Sequence, residues 1–295
     1  MTNQQGDTYP AYTQVEGTFS SFDSTQIFYQ GWKPRENHRA TIIFTHGHGE
    51  HSDAYHRVIN YYSDKGYEFW GWDMRGHGRS EGVRGYAKSF QDYIQDYEIF
   101  LNLMLKRVDR KKPVFLLSHS MGGLIQLAGL MQRDQTPFQA QVVSAPLLGV
   151  AVAVPPIKQF AAEMFEKFLP KVTLGNELDS AMLTRDPEIM REYEKDPLRH
   201  TRMSSGVYLG FVKLQHNIAG QGEQIKIPSL FQCAEKDPVC STEATRKFCE
   251  SMKPELVKLL VYGDGARHEI YNDIDRLEVF KDMENYLENQ MKGRA

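Results

Sequence analysis

Ser118-His119-Ser120-Met121-Gly122-Gly123 lies between two apolar patterns. Residues 114–117 read as a buried strand, and Leu124, Leu127, Ala128 and Met131 recur at helical spacing. A strand that turns sharply into a helix around one serine lifts that hydroxyl above the sheet edge, the arrangement called a nucleophile elbow. The usual spelling is Gly-x-Ser-x-Gly; here Ser118 holds the first position, a small residue where strand and helix cross closely. A serine hydroxyl is a poor nucleophile near neutral pH. It needs a base to take its proton and a third group to orient that base. Downstream of Ser120 the histidines are His200, His216 and His268, and His268 follows the last strand pattern. Candidate acids are Asp237 and Glu235, after a strand over 227–234, and Asp264, close to His268 in sequence. The negative oxygen formed on attack needs two backbone N–H donors. Met121, next to the nucleophile, supplies one, and the loop His46-Gly47-His48-Gly49 after an early strand supplies the other through the main chain of His48.

These residues need a scaffold, and the hydrophobic pattern describes one. Stretches 14–19 and 26–32 alternate loosely, as an opening antiparallel hairpin does. Buried strands are predicted over 40–45, 67–72, 114–117, 141–144, 227–234 and 256–262. Between them lie helical patterns: 53–65 with Asp53 as cap and Gly66 as stop, 89–108 opened by Ser89, 242–252 and 276–291. Alternating strands and helices imply an α/β fold, a mostly parallel central sheet with helices on both faces. The rhythm breaks after Ala145. Residues 146–223 read as an inserted helical cap, which divides the core into 1–145 and 224–295. Within it, Phe160, Ala161, Met164, Phe165, Phe168 and Leu169 mark an amphipathic helix, preceded by Leu147, Leu148, Val150, Val152 and Val154. That apolar surface is expected to line an apolar tunnel or to dip into a membrane interface.

The totals narrow the class. The 295 residues are 41% hydrophobic and 25% charged with a formal net charge of -3, which is ordinary for a soluble globular chain and offers no basic stripe for nucleic acid. Three cysteines, Cys233, Cys240 and Cys249, match no metal spacing and read as reduced thiols of a cytoplasmic protein. The polar start, residues 1–10, does not resemble a signal peptide, and no apolar run approaches the ~20 residues of a membrane span.

The letters His46-Gly47-His48-Gly49-Glu50-His51 allow a rival. They are one letter from the His-x-His-x-Asp-His zinc signature of metallo-β-lactamase-type hydrolases, with His119 as a later ligand. Against it, Glu50 replaces the aspartate, a helix pattern follows His119, and Ser120, Asp237 and His268 are left without a role.

The chain resembles the monoacylglycerol lipase and lysophospholipase branch of the α/β-hydrolases. The likeness rests on His46-Gly47-His48-Gly49-Glu50-His51-Ser52, Asp73-Met74-Arg75-Gly76-His77-Gly78-Arg79-Ser80-Glu81-Gly82, the Ser120 elbow, Ser144-Ala145-Pro146-Leu147 and Gly265-Ala266-Arg267-His268. In the insertion it continues through Leu183-Thr184-Arg185-Asp186-Pro187 and Asp196-Pro197-Leu198. The resemblance implies hydrolysis of the carboxylic ester of single-acyl-chain lipids through an acyl-enzyme on Ser120. Asp237 is then the acid, His268 the base, and Met121 and His48 the oxyanion donors. It implies no metal and no organic cofactor, a lipid ester as partner and a helical cap that admits the acyl chain; peripheral membrane contact is expected from the apolar surface of that cap. A short-chain esterase or peptidase on the same fold is the alternative. Two positions depart from the family: Ser118 at the elbow, and His48, where the lipase relatives carry a small residue.

Overall fold

The computed structural model describes residues 9–151, 156–175, 178–263 and 265–292. The chain opens with a hairpin, β1 (Tyr12–Ser20) and β2 (Gln26–Pro34), and enters the sheet interior at β3 (Ala40–Thr45). A 3-10 turn (Ser52–Tyr55) leads into α1 (His56–Tyr61), followed by β4 (Tyr67–Trp72), α2 (Phe90–Arg107), β5 (Val114–His119), α3 (Ser120–Met131) and β6 (Ala140–Ser144). The chain then leaves the sheet through α4 (Pro156–Phe168), β7 (Thr173–Gly175), α5 (Ser180–Leu183), α6 (Pro187–Lys195), β8 (Arg202–Ser204) and α7 (Ser205–Ile218). It returns as β9 (Ser229–Ala234), α8 (Thr242–Glu250), β10 (Val257–Tyr262) and α9 (Arg276–Lys292).

The eight-stranded sheet runs β1-β2-β4-β3-β5-β6-β9-β10. β1, β2 and β4 pair antiparallel, and the six strands from β4 to β10 are mutually parallel. Strand alternation sends side chains to two cores. On β5, Val114 and Leu116 join the cluster with Tyr93, Phe100 and Leu124, whereas Phe115 and Leu117 join the one with Val58, Phe280 and Met283. Both faces are therefore covered, as a parallel sheet requires. The carboxyl ends of β3, β5, β9 and β10 share one rim, and ligands of open α/β sheets bind at such rims.

Ser89 caps α2 in a capping box with Asp92, as its position suggests. Asp53 does not cap: it sits inside the 3-10 turn, and its carboxylate accepts from Gln30 and Arg79 instead. The stretch between β6 and β9 is more regular than its mixed letters imply. β7 pairs with β8, α4 packs on α7, and α7 packs on α2 and α3 through Val207 and Phe211. Of the apolar run before α4, Val152 and Val154 lie outside the described residues, as do residues 1–8 of the polar start. Cys233, Cys240 and Cys249 are free and buried. Among the described residues, no helix is long and apolar enough to cross a membrane.

Candidate active site

Ser120 is the first residue of α3 and stands at φ 52°, a left-handed conformation that non-glycine residues rarely adopt. Such strain marks a turn held by its surroundings. The holding is visible at Gly122, where an added Cβ would lie 2.3 Å from the carbonyl oxygen of His46 and 2.6 Å from that of Thr45. Only hydrogen fits between the helix and the β3 end. Gly122→Ala is expected to cost about 1–3 kcal/mol by overpacking. It should lower the thermal midpoint by several degrees in a melting scan and depress turnover further by pushing the His46–Gly47 backbone outward.

Two strand ends bring the other residues to Ser120. Asp237 follows β9 and His268 follows β10. His268 Nε2 lies 2.9 Å from Ser120 Oγ, and His268 Nδ1 lies 2.8 Å from Asp237 Oδ2. The other Asp237 oxygen accepts from the Val239 and Cys240 N–H groups at 2.8 and 3.0 Å. The carboxylate can only accept, so it holds the proton of His268 on Nδ1 and turns the Nε2 lone pair toward the serine. Burial by itself lowers the pKa of His268, but the charge and hydrogen bond of Asp237 outweigh it, and the net shift is upward. Burial likewise pushes Asp237 up, and the imidazole with two backbone donors brings it below the ordinary carboxylate range. Of the rival acids, Glu235 is exposed, and Asp264 lies outside the described residues.

The loop after β3 is anchored through His46, Gly47 and Glu50. His46 donates from Nδ1 to the Gly47 carbonyl at 2.6 Å and accepts the Met74 N–H on Nε2 at 2.9 Å. Burial lowers its pKa to about 4, so a neutral ring serves both bonds. Glu50 accepts the Gly47 N–H, which fixes the backbone just before His48. Met121 lies in the first turn of α3, where N–H groups have no intrahelical partner and point outward.

A buried ionic network borders this loop and was not foreseen from sequence. Arg199 reaches both oxygens of Glu269 at 3.1 Å and Glu50 at 3.6 Å. Tyr193 donates to Glu269 as well. Burial and the nearby Glu269 raise Glu50 to about 7, against the pull of Arg199. Glu269, although buried, is held at about 2 by that same guanidinium. The segment after β6 is stitched down beside it. The His268 N–H donates to the Met182 carbonyl at 3.3 Å, the Glu269 N–H to that of Leu183 at 2.9 Å, and the His200 N–H to that of Gly49 at 3.0 Å.

The histidine set suggested by the zinc-like letters does not converge. His46 spends both nitrogens as above, and His51 Nε2 bonds Asp196 at 2.7 Å. His119 instead lies tilted against His268, ring centres 4.7 Å apart, with Nδ1 3.3 Å from Ser144 Oγ. Among the described residues, the histidines that do gather are His48, His77 and His200.

Above Ser120 lies a cavity of about 290 Å³. Its floor is Gly47, His48, Ser120 and His268, and residues between β6 and β9 close over it, among them Leu183, Tyr193 and Arg199. The family model for Hydrolase_4, described as serine aminopeptidase S33, matches residues 36–275. The chain belongs to this family. The Hydrolase_4 chain is 27% identical over 276 residues to a monoacylglycerol lipase of Mycolicibacterium smegmatis, covering 93% of this chain and 97% of that protein. It is also 26% identical over 257 residues to an uncharacterized abhydrolase domain-containing protein of Dictyostelium discoideum, covering 87% of this chain but only 27% of that larger relative. Its fold matches that of a soluble variant of monoglyceride lipase from Saccharomyces cerevisiae, solved with a substrate analog, with a TM-score of 0.84 at 23% identity, over 97% of this chain and 98% of that one. This Hydrolase_4 protein is therefore an α/β-hydrolase, and an enzyme of the carboxylic ester hydrolase class.

Proposed function

We propose that this Hydrolase_4 protein cleaves the ester of single-acyl-chain lipids, monoacylglycerol before lysophospholipid, through an acyl-enzyme on Ser120. The observation that carries the reading is the hydrogen-bonded run Asp237–His268–Ser120 at the floor of the cavity. In this mechanism the Ser120 oxygen attacks the ester carbonyl while His268 Nε2 takes its proton. The tetrahedral oxyanion rests on the N–H groups of Met121 and His48. His268 then gives the proton to the departing glycerol oxygen, and the C–O bond breaks. Water, deprotonated by the same nitrogen, releases the fatty acid and restores the serine. Asp237 keeps the imidazole oriented and stabilises its charged form.

Residues 146–223 act as the cap, set between core parts 1–145 and 224–295. Leu178, Leu183 and Val239 offer the acyl chain an apolar wall. The cation on the lining, Arg199, is already engaged by Glu269 and Glu50, so it is poorly placed to take a phosphate, and a neutral glycerol headgroup fits better. The test is a comparison of kcat/KM for a monoacylglycerol, a lysophosphatidylcholine with the same acyl chain, and a short p-nitrophenyl ester. The monoacylglycerol should lead the lysophospholipid by ~10-fold or more, a discrimination of about 1.4 kcal/mol. A leading lysophospholipid would overturn the headgroup assignment. Turnover of the short ester alone would overturn the lipid reading.

Membrane contact through the cap belongs to the same proposal. On α4, which packs on α7, Phe165 is half-buried, whereas Ile157, Phe160 and Phe168 are 76%, 63% and 61% exposed. Three large apolar side chains on one outer face suit insertion at a lipid surface. Phe160→Asp is expected to reduce co-sedimentation with phosphatidylcholine vesicles several-fold. Equal pelleting of parent and variant would contradict the contact.

A further inference from the structure

We propose that His48, His77 and His200 form a binding site for one divalent transition-metal ion of the zinc class, on the wall of the cavity. The site needs none of the ester-hydrolase assignment. Each histidine offers one ring nitrogen, and the three nitrogens lie within 4.8 Å of one another. The ring centres are 5.2 Å apart for His48 and His77, 5.5 Å for His48 and His200, and 4.5 Å for His77 and His200. Zinc–nitrogen bonds of about 2.0–2.1 Å in a tetrahedron bring such atoms to about 3.4 Å. Ring rotations of about an ångström close the difference.

The ring bonds already present suit ligation. His77 is fully buried, and its Nδ1 donates to the Arg75 carbonyl at 3.0 Å. That bond leaves the lone pair on Nε2, which has no hydrogen-bond partner among the described residues. A metal-bound histidine typically has this arrangement, one nitrogen tied to a carbonyl and the other on the ion. Both ring nitrogens of His48 are buried, and among the described residues the one polar neighbour that acts on the ring as a hydrogen-bond acceptor is the Arg202 backbone, which leaves at least one nitrogen without a partner. Leaving such groups unsatisfied costs free energy, which an ion would offset. His200 donates from Nε2 to the Gly76 carbonyl at 3.1 Å, and its Nδ1 accepts only the Arg202 N–H, at 3.2 Å. Ligation through either nitrogen exchanges one of these two backbone contacts for a metal bond.

The three residues come from separate segments that are locked together. His48 follows β3, His77 follows β4, and His200 lies between α6 and β8. The backbones of Gly49 and His200 touch so closely that a Cβ on Gly49 would lie 2.2 Å from the His200 carbonyl oxygen. Only side chains need to move. Burial, reinforced by the neighbouring imidazoles, lowers His48 to about 3; burial with Arg84 lowers His200 to about 4, and His77 also lies well below its ordinary value. All three rings are therefore neutral near pH 7, the form that binds metal. The positive Arg84 and Arg202 act on His200, and among the described residues no carboxylate joins the three nitrogens, so the affinity expected is moderate. A fourth position faces the cavity, where water completes the shell.

The test titrates the chelator-treated full chain with Zn2+ by calorimetry and with Co2+ by visible absorption. The expected result is saturation at one ion per chain, a raised thermal midpoint, and a cobalt spectrum without a thiolate charge-transfer band. His48→Ala and His200→Gln should each weaken binding by about 10-fold or more, with circular dichroism unchanged. His216→Gln, at an exposed histidine outside the cluster, should bind as the parent does. Absence of saturable binding, a thiolate band, or unchanged binding in both variants would overturn the proposal.

Discussion

Ser120→Ala is expected to lower ester turnover by about 10⁴-fold or more, with the fold and the substrate affinity retained. The oxygen removed is the one 2.9 Å from His268 Nε2, and the remaining groups cannot form an acyl-enzyme. Residual activity should come from the oxyanion donors and the cavity alone, which act on water in place of serine. The residues work as a unit, so adding His268→Ala to Ser120→Ala should cost little more. Burst kinetics with a chromogenic ester separate the outcomes: the parent shows a burst equal to the enzyme concentration, and the variant shows none. A variant retaining a tenth of parental turnover would place the nucleophile elsewhere.

Asp237→Asn should reduce kcat by roughly 10⁴-fold, because an amide can present its N–H to His268 and favour the wrong tautomer. The pH profile adds a sign. In the parent, the Asp237 charge raises His268 above 6.5, so kcat/KM should climb through a limb above that value as the base loses its proton. Removing the charge leaves burial dominant, and the limb should move to lower pH. Stability follows the same linkage in opposite directions. The His268 contribution is full below pH 6.5 and fades as pH rises through its raised folded value. The Asp237 contribution is full above 3.8 and fades as pH falls through its lowered folded value. An unshifted limb with full kcat in Asp237→Asn would remove Asp237 from the site.

What was legible in the letters was what local pattern determines. A strand, a small-residue turn and a helical stripe predict the Ser120 elbow without reference to the rest of the chain. Strand ends predict the positions of Asp237 and His268, and the sheet order then decides which ends meet. The Arg199–Glu269–Glu50 network had no such signature. Arg199 lies in a charged stretch that reads like solvated surface, and only the folding of that stretch onto the loops that carry Glu50 and Glu269 buries it. Helix α7 is harder to read, because its buried stripe Val207, Phe211, Gln215 and Ile218 includes a polar glutamine, and Gly206 and Gly210 weaken the helical signal. His48 stood out as a departure from the family. Its neighbours His77 and His200 lie far away in sequence, so the gathering of three rings appears only in the fold. Asp53 illustrates the converse, a good capping residue diverted by Gln30 and Arg79 once the tertiary contacts form.

The central claim is a serine acyl-enzyme. It is tested most directly by mass spectrometry of the intact chain after reaction with a fluorophosphonate ester, with and without a chelator. The expected result is a single adduct on the Ser120 peptide, unaffected by chelator and absent in Ser120→Ala. A chain that hydrolyses esters without taking up the label, and loses that activity to the chelator, would contradict the account.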